Sequence, residues 1–131
     1  MSLRVGVDLV EVEAVRAALQ EHGDRYLQRT FTERELVDCS SADGVSVERL
    51  AARFAAKEAA MKALRLPPDE GIAWTSIEVV RAPEGWTSLR LAGDAAALAE
   101  RQGIGELAVS VAHEGAFATA VVVAIAPEGE R

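Results

Sequence analysis

The sequence predicts an α+β fold, with a mainly antiparallel sheet packed on one long central helix. Three observations carry this. Ser46 to Arg65 runs without Gly or Pro, enough for about five helical turns. Short segments rich in β-branched residues stand on both sides of it. Their order along the chain is strand, helices, then strand-strand-helix-strand-strand.

Leu3, Val5 and Val7 alternate, predicting a short strand that ends near Asp8. Glu13 to Gln20 continues as helix, with Val12, Val15, Ala18 and Leu19 on its apolar side. Gly23 and Asp24 interrupt it, and Arg25 to Thr30 reads as a helical turn. Thr32 then offers an N-cap and Glu35 closes a capping box before Leu36 and Val37. Ser40 to Gly44 reads as a polar loop. After the central helix, Leu66-Pro67-Pro68-Asp69-Glu70-Gly71 forms a terminating loop, because proline cannot continue a helix. Trp74 to Arg81 reads as a strand, Ala82 to Trp86 as a turn and Thr87 to Leu91 as a second strand. Gly93 to Arg101 is an Ala-rich helix stopped at Gly103. Leu107 to Ala112 and Phe117 to Ile125 are strands joined by a hairpin at His113-Glu114-Gly115-Ala116. Pro127 to Arg131 reads as a frayed polar tail.

In the central helix, Ser46 caps the start and Glu48 places an anion there. Leu50, Phe54, Met61 and Leu64 form one apolar stripe. Lys57 falls on one edge of the stripe, Glu58 and Lys62 on the other. Glu58 and Lys62 are spaced for an i, i+4 ion pair, which on most helices is a surface pair worth a few tenths of a kcal/mol. The rear face is Ala52, Ala56, Ala59, Ala60 and Ala63. A solvent-facing helix would carry charges there, so close packing on both sides is expected. Together with the apolar strand Ala118 to Ile125, this surface exceeds what one small core needs and predicts self-association. Asp8, at a strand end, either holds a metal ion or caps the next helix.

The 131 residues, 50% of them hydrophobic, form one domain spanning 1–131. Cys39 is the single cysteine, which excludes an intrachain disulfide, suits a reducing compartment and reads as a packing residue. Arg4, Asp8 and Glu11 interrupt any leader-like opening, and the apolar run from Ala116 to Pro127 is too short to span a bilayer. A soluble, cytoplasmic protein is expected. The net charge of −7 argues against a nucleic-acid binder.

Four segments carry a resemblance. Arg53-Phe54-Ala55-Ala56-Lys57-Glu58-Ala59 followed by Lys62-Ala63-Leu64 resembles the signature helix of the 4'-phosphopantetheinyl transferases. Gly6-Val7-Asp8-Leu9-Val10-Glu11-Val12 and Val109-Ser110-Val111-Ala112-His113-Glu114 match the family's opening and closing motifs, and Phe31-Thr32-Glu33 with Glu35-Leu36 matches the element before the helix. They follow family order over nearly the whole chain, at the length of the small holo-acyl-carrier-protein synthase type.

The resemblance implies transfer of 4'-phosphopantetheine from coenzyme A to a serine of an apo-acyl carrier protein, dependent on Mg²⁺ and releasing adenosine 3',5'-bisphosphate, in fatty acid biosynthesis. It implies Asp8 and Glu58 as metal carboxylates and Lys62 as the cation on the phosphates. It also implies Ser110 and His113 as coenzyme contacts, with Arg53 and Lys57 as further candidates for its phosphates. Glu58, Lys62 and His113 form the expected catalytic set. The base stays open between Glu58, directly or through water, and His113, which could instead hydrogen-bond a phosphate. Glu11 and Glu114 are outer candidates, and His22 reads as solvated. A homotrimer with sites shared between subunits is implied as well. Three departures stand out: Arg65 where Gly is common, Gly85-Trp86-Thr87 where Gly-Lys-Pro is usual, and Ala112 where a hydroxyl residue often precedes the histidine. The first helix, with Arg16, Arg25 and Arg29 against Glu11, Glu13, Glu21 and Asp24, is less basic than a docking surface for an acidic carrier would be. Two alternatives follow, a transferase dedicated to a secondary-metabolic carrier and a non-catalytic coenzyme A-binding scaffold.

Overall fold

A computed structural model describes residues 1–127; the expected tail beyond Pro127 lies outside them. The elements run β1 (Ser2–Glu11), α1 (Val12–His22), α2 (Asp24–Thr30), α3 (Glu33–Asp38), β2 (Ser40–Ser41), β3 (Gly44–Val45) and α4 (Val47–Ala63). A 3-10 turn at Trp74–Ser76 then leads to β4 (Ile77–Arg81), β5 (Thr87–Leu91), α5 (Gly93–Arg101), β6 (Leu107–Glu114) and β7 (Phe117–Ala126). The fold is α+β with antiparallel sheets, as the sequence predicts. It has a three-stranded sheet in the order β1-β7-β6 and two separate two-stranded ladders, β2-β3 and β4-β5.

The helix signals act as expected. The Ser46 hydroxyl accepts from the Arg49 amide at 3.3 Å, starting α4. Thr32 and Glu35 form the reciprocal capping box on α3. The expected polar loop at Ser40–Gly44 instead closes as the β2-β3 ladder, and the expected strand from Trp74 begins only at Ile77. Asp8 sits inside β1, opposite Ala120, and Glu11 occupies the N-cap of α1 without a side-chain cap bond. The capping reading of Asp8 is thereby corrected. His113 and Glu114 are also paired, opposite Ala118 and Phe117, so the hairpin turn is only Gly115-Ala116 and His113 is a strand residue.

Gly6 brings β1 and α4 together. A Cβ there would lie 2.0 Å from the Ala59 carbonyl oxygen and 2.9 Å from the Ala63 nitrogen. Only glycine on the strand and alanine on the helix allow two backbones to approach so closely. Ala55, Ala56, Ala59, Ala60 and Ala63 are all buried, and α4 packs on β1 and β7. The alanine face is therefore covered within the chain and is not the surface left over for self-association. The open apolar surface is the other face of the sheet, where Leu3, Val5, Val7 and Leu9 of β1 and Phe117 and Val121 of β7 are exposed. Among the described residues no helix is long and apolar enough to cross a membrane.

Candidate active site

The close approach at Gly6 sets Asp8 of β1 beside the last two turns of α4. The Lys62 ammonium donates to the Val7 carbonyl at 2.9 Å and to Asp8 Oδ1 at 3.3 Å. The Glu58–Lys62 bridge expected from spacing does not form, because Lys62 reaches across to β1 instead. The Lys62 side chain is 55% exposed and that of Asp8 18%. Glu58, partly buried one turn earlier, accepts no hydrogen bond from the described residues. Its carboxyl pKa is raised, first by burial and then by the negative charge of Asp8, with Lys62 pulling it down. Glu58, Met61, Lys62, Arg65 and Leu66 line a cavity of about 360 Å³.

Two carboxylates close enough to raise a pKa form a site that a cation would relieve. Among the described residues no group of three or more His, Cys, Asp or Glu side chains gathers. A pair of carboxylates nevertheless fits Mg²⁺, which ordinarily takes one or two and completes its shell with water and phosphate oxygens.

A second cavity, of about 410 Å³, opens beside the N-terminal half of α4 and is lined by Arg49, Arg53, Arg81, Thr87 and His113 among others. Arg53 is only 5% exposed, and its buried Nε has no hydrogen-bond partner among the described residues. A buried guanidinium nitrogen left unpaired is costly, so three arginines around one space fit an anionic ligand. Arg49 and Arg81 were not foreseen. Arg49 and Arg53 stand four apart on one helix face, a signal present in the sequence. Arg81 comes to the cavity from the end of β4, which only tertiary structure arranges.

The expected site residues thus divide. Asp8, Glu58 and Lys62 converge, while Arg53 and His113 line the second cavity. On the sheet, His113 lies two strands and two residues from Asp8, roughly 12 Å between backbones at ordinary spacings. Ser110 is opposite Val121, itself opposite Val7, which places it on the outer face, away from His113. Glu11 and Glu114 both pair with Phe117 at the hairpin end, and His22 is exposed at the end of α1.

Lys57 is corrected outright as a phosphate contact, since it is wholly buried. Its ammonium donates to Glu35 Oε1 at 2.8 Å, to the Trp74 carbonyl at 3.1 Å and to the Ile77 carbonyl. Those three acceptors match the three donors of a protonated amine. Burial lowers its pKa while Glu35 acts against the shift. Cys39 is buried, with burial pushing its thiol up to about 11, so it packs and does not react.

Comparison with known proteins gives the family of the chain. The chain is 42% identical over 127 residues to the holo-[acyl-carrier-protein] synthase of Desulforudis audaxviator, covering 97% of this chain and 95% of that one. It is 45% identical over 132 residues to the synthase of the same name from Chloroflexus aurantiacus, covering 91% and 95%. The fold matches the ACPS-CoA complex of Chronobacterium ammoniagenes with a TM-score of 0.87 at 33% identity, over 98% of this chain and all of that one. It also matches the Helicobacter pylori holo-[acyl-carrier-protein] synthase in complex with coenzyme A, with a TM-score of 0.79 at 25% identity, over 92% and 99%. The family model for the 4'-phosphopantetheinyl transferase superfamily matches residues 4–122. That span runs from Arg4 past Asp8, the whole of α4 and His113, and the chain belongs to the 4'-phosphopantetheinyl transferase superfamily.

Proposed function

We propose that this protein transfers the 4'-phosphopantetheine arm of coenzyme A to a serine of an apo-acyl carrier protein, making the holo carrier for fatty acid biosynthesis in the cytoplasm. The observation that carries the reading is the convergence of Asp8, Glu58 and Lys62 across the Gly6 contact. The names of the similar synthases and the two coenzyme complexes support it.

The serine hydroxyl oxygen attacks the phosphorus that bears pantetheine. The bond from that phosphorus to the bridging oxygen breaks, and adenosine 3',5'-bisphosphate leaves. Asp8 and Glu58 would hold Mg²⁺, which when bound offsets pyrophosphate charge. Lys62, oriented by Val7 and Asp8, supplies positive charge where the leaving phosphate gains negative charge. Glu58 is the proton acceptor we favour for the hydroxyl, since its partly buried carboxyl lies on the same cavity as Lys62 and accepts no hydrogen bond from the described residues. Arg53 and His113 belong to the cavity that would hold the remaining coenzyme phosphate.

The separation of the two cavities supports a shared site, in which the carboxylates of one subunit face His113 of a neighbour. The exposed β1-β7 face, larger than single surface residues explain, supports assembly. Three copies is the number that the family resemblance implies.

Intact-mass measurement of an apo carrier incubated with coenzyme A and Mg²⁺ tests the activity. The expected result is a gain of one phosphopantetheine arm; no gain on any of several carriers favours a coenzyme-binding scaffold. Co-refolding inactive Asp8→Ala with inactive His113→Ala tests the shared site. Activity should return, and mixed oligomers that stay inactive, or a monomer in sedimentation, would overturn it. One observation favours a dedicated secondary-metabolic carrier as a second reading: Arg16 of α1 pairs with Glu13 at 3.1 Å and lies 3.9 Å from Glu48. That lowers the positive charge α1 offers an acidic carrier. Rates on fatty-acid and polyketide-type carriers separate the two.

A further inference from the structure

Arg65 directly follows the C-cap of α4 with φ of 53°. In this left-handed region a Cβ crowds the backbone, and glycine is the residue that ordinarily ends a helix this way. The helix end closes around it, with the Leu66 amide donating to Met61 O at 3.1 Å and the Arg65 amide to Lys62 O at 3.1 Å. An arginine held in that conformation costs stability, and residues of this kind gather at functional sites. Arg65 also lines the cavity that contains Glu58 and Lys62.

We infer that Arg65 is a binding residue for the pyrophosphate of the coenzyme, an inference that rests on the transferase reading above. The charges motivate it. Asp8 and Glu58 bring two negative charges to this end of α4, and Lys62 already shares its ammonium with Asp8 and the Val7 carbonyl. A pyrophosphate adds further negative charge to the same cavity. Arg65 places a second cation on the cavity wall, and a guanidinium fork can bond two phosphate oxygens at once. The side chain reaches from an exposed helix end, so it engages the bound coenzyme before reaction as well as during it. Its removal therefore weakens coenzyme affinity more than it slows turnover at saturation.

Arg65→Gly separates this role from a structural one, because the two make opposite demands. Relief of the left-handed strain should raise Tm by a few degrees at fixed protein concentration. Calorimetric titration with coenzyme A in Mg²⁺ should show Kd rising about tenfold. Dephospho-coenzyme A, which lacks the 3'-phosphate but keeps the pyrophosphate, should show the same factor, and Arg65→Lys should recover part of the affinity. An unchanged Kd, a loss that disappears with dephospho-coenzyme A, or an effect confined to the carrier KM would overturn the inference. Failure of the wild-type protein to bind coenzyme A would instead overturn the transferase reading on which it rests.

Discussion

Lys57 and Lys62 stand five residues apart on one helix, each beside a carboxylate from another element, and the fold treats them in opposite ways. Lys57 and Glu35 are both fully buried. Glu35 Oε1 accepts from the Thr32 amide at 2.9 Å and from Lys57, while Oε2 accepts from the Val79 amide at 2.8 Å. This pair ties α3, α4 and β4 into one body, with all three Lys57 donors used and both Glu35 oxygens bonded within the chain. Lys62 and Asp8 meet at the cavity edge at 3.3 Å, with Glu58 nearby and its carboxyl unbonded among the described residues. Internal partners occupy the first pair, and incomplete satisfaction beside a cavity leaves the second open to a ligand.

The largest expected effect breaks the closed pair. Glu35→Ala leaves a buried cation without its anion and should destabilise the protein by about 3–5 kcal/mol. Denaturant unfolding measures it, and a loss under about 1 kcal/mol would mean that Lys57 reaches water. Lys62→Ala addresses the open pair, where the cost should fall on chemistry. Its kcat should drop about 100-fold, the scale of removing one positioned group at a developing charge, with stability within about 0.5 kcal/mol of wild type. A change limited to the carrier KM would assign Lys62 to docking.

This contrast shows where the sequence is legible. The capping box at Thr32 and Glu35 is a local pattern, and it forms as read. That Glu35 also receives Lys57 and the Val79 amide depends on partners 22 and 44 positions away, which spacing along the chain does not reveal. A helical wheel sets Lys57 and Lys62 on opposite edges of one stripe but does not say which edge another element covers. Family resemblance grouped Asp8, Glu58 and Lys62, and the fold brings the three near one another. It also carried Lys57 along as a phosphate candidate, because a motif does not distinguish a ligand from a support. The alanines announced close packing but not its partner. Gly6 opposite Ala59 and Ala63 supplies that partner within the chain, which moves the exposed apolar face to the far side of the sheet.

If the closed pair is structural alone, an apolar pair of similar size should largely replace it. Glu35→Leu with Lys57→Met removes both buried charges together, so it should cost less than about 3 kcal/mol, although Trp74 O, Ile77 O and the Val79 and Thr32 amides lose partners. That is milder than Glu35→Ala alone, and transfer activity should persist. A folded double variant that binds coenzyme A normally but no longer transfers would give Lys57 a part in the chemistry after all.

The smallest effect concerns the unbonded carboxylate of the open site and is read through pH. Burial and the charge of Asp8 raise the pKa of Glu58 above its ordinary value, so the native state holds this proton more tightly than the unfolded chain does. Between the ordinary glutamate pKa of about 4.3 and the raised native value, the native state carries more bound protons. Stability then falls as pH rises through that window. In a chelator, metal-free wild type should lose Tm across it relative to Glu58→Gln, which carries no such proton. The comparison cancels the titration of groups common to both proteins. Saturating Mg²⁺ should reverse the order, because the ionised carboxylate becomes a ligand. Wild type should gain Tm from Mg²⁺, and Glu58→Gln should gain little. Parallel pH profiles without metal would show that neither burial nor Asp8 raises the Glu58 pKa, and equal Mg²⁺ gains in both proteins would remove Glu58 from the metal site.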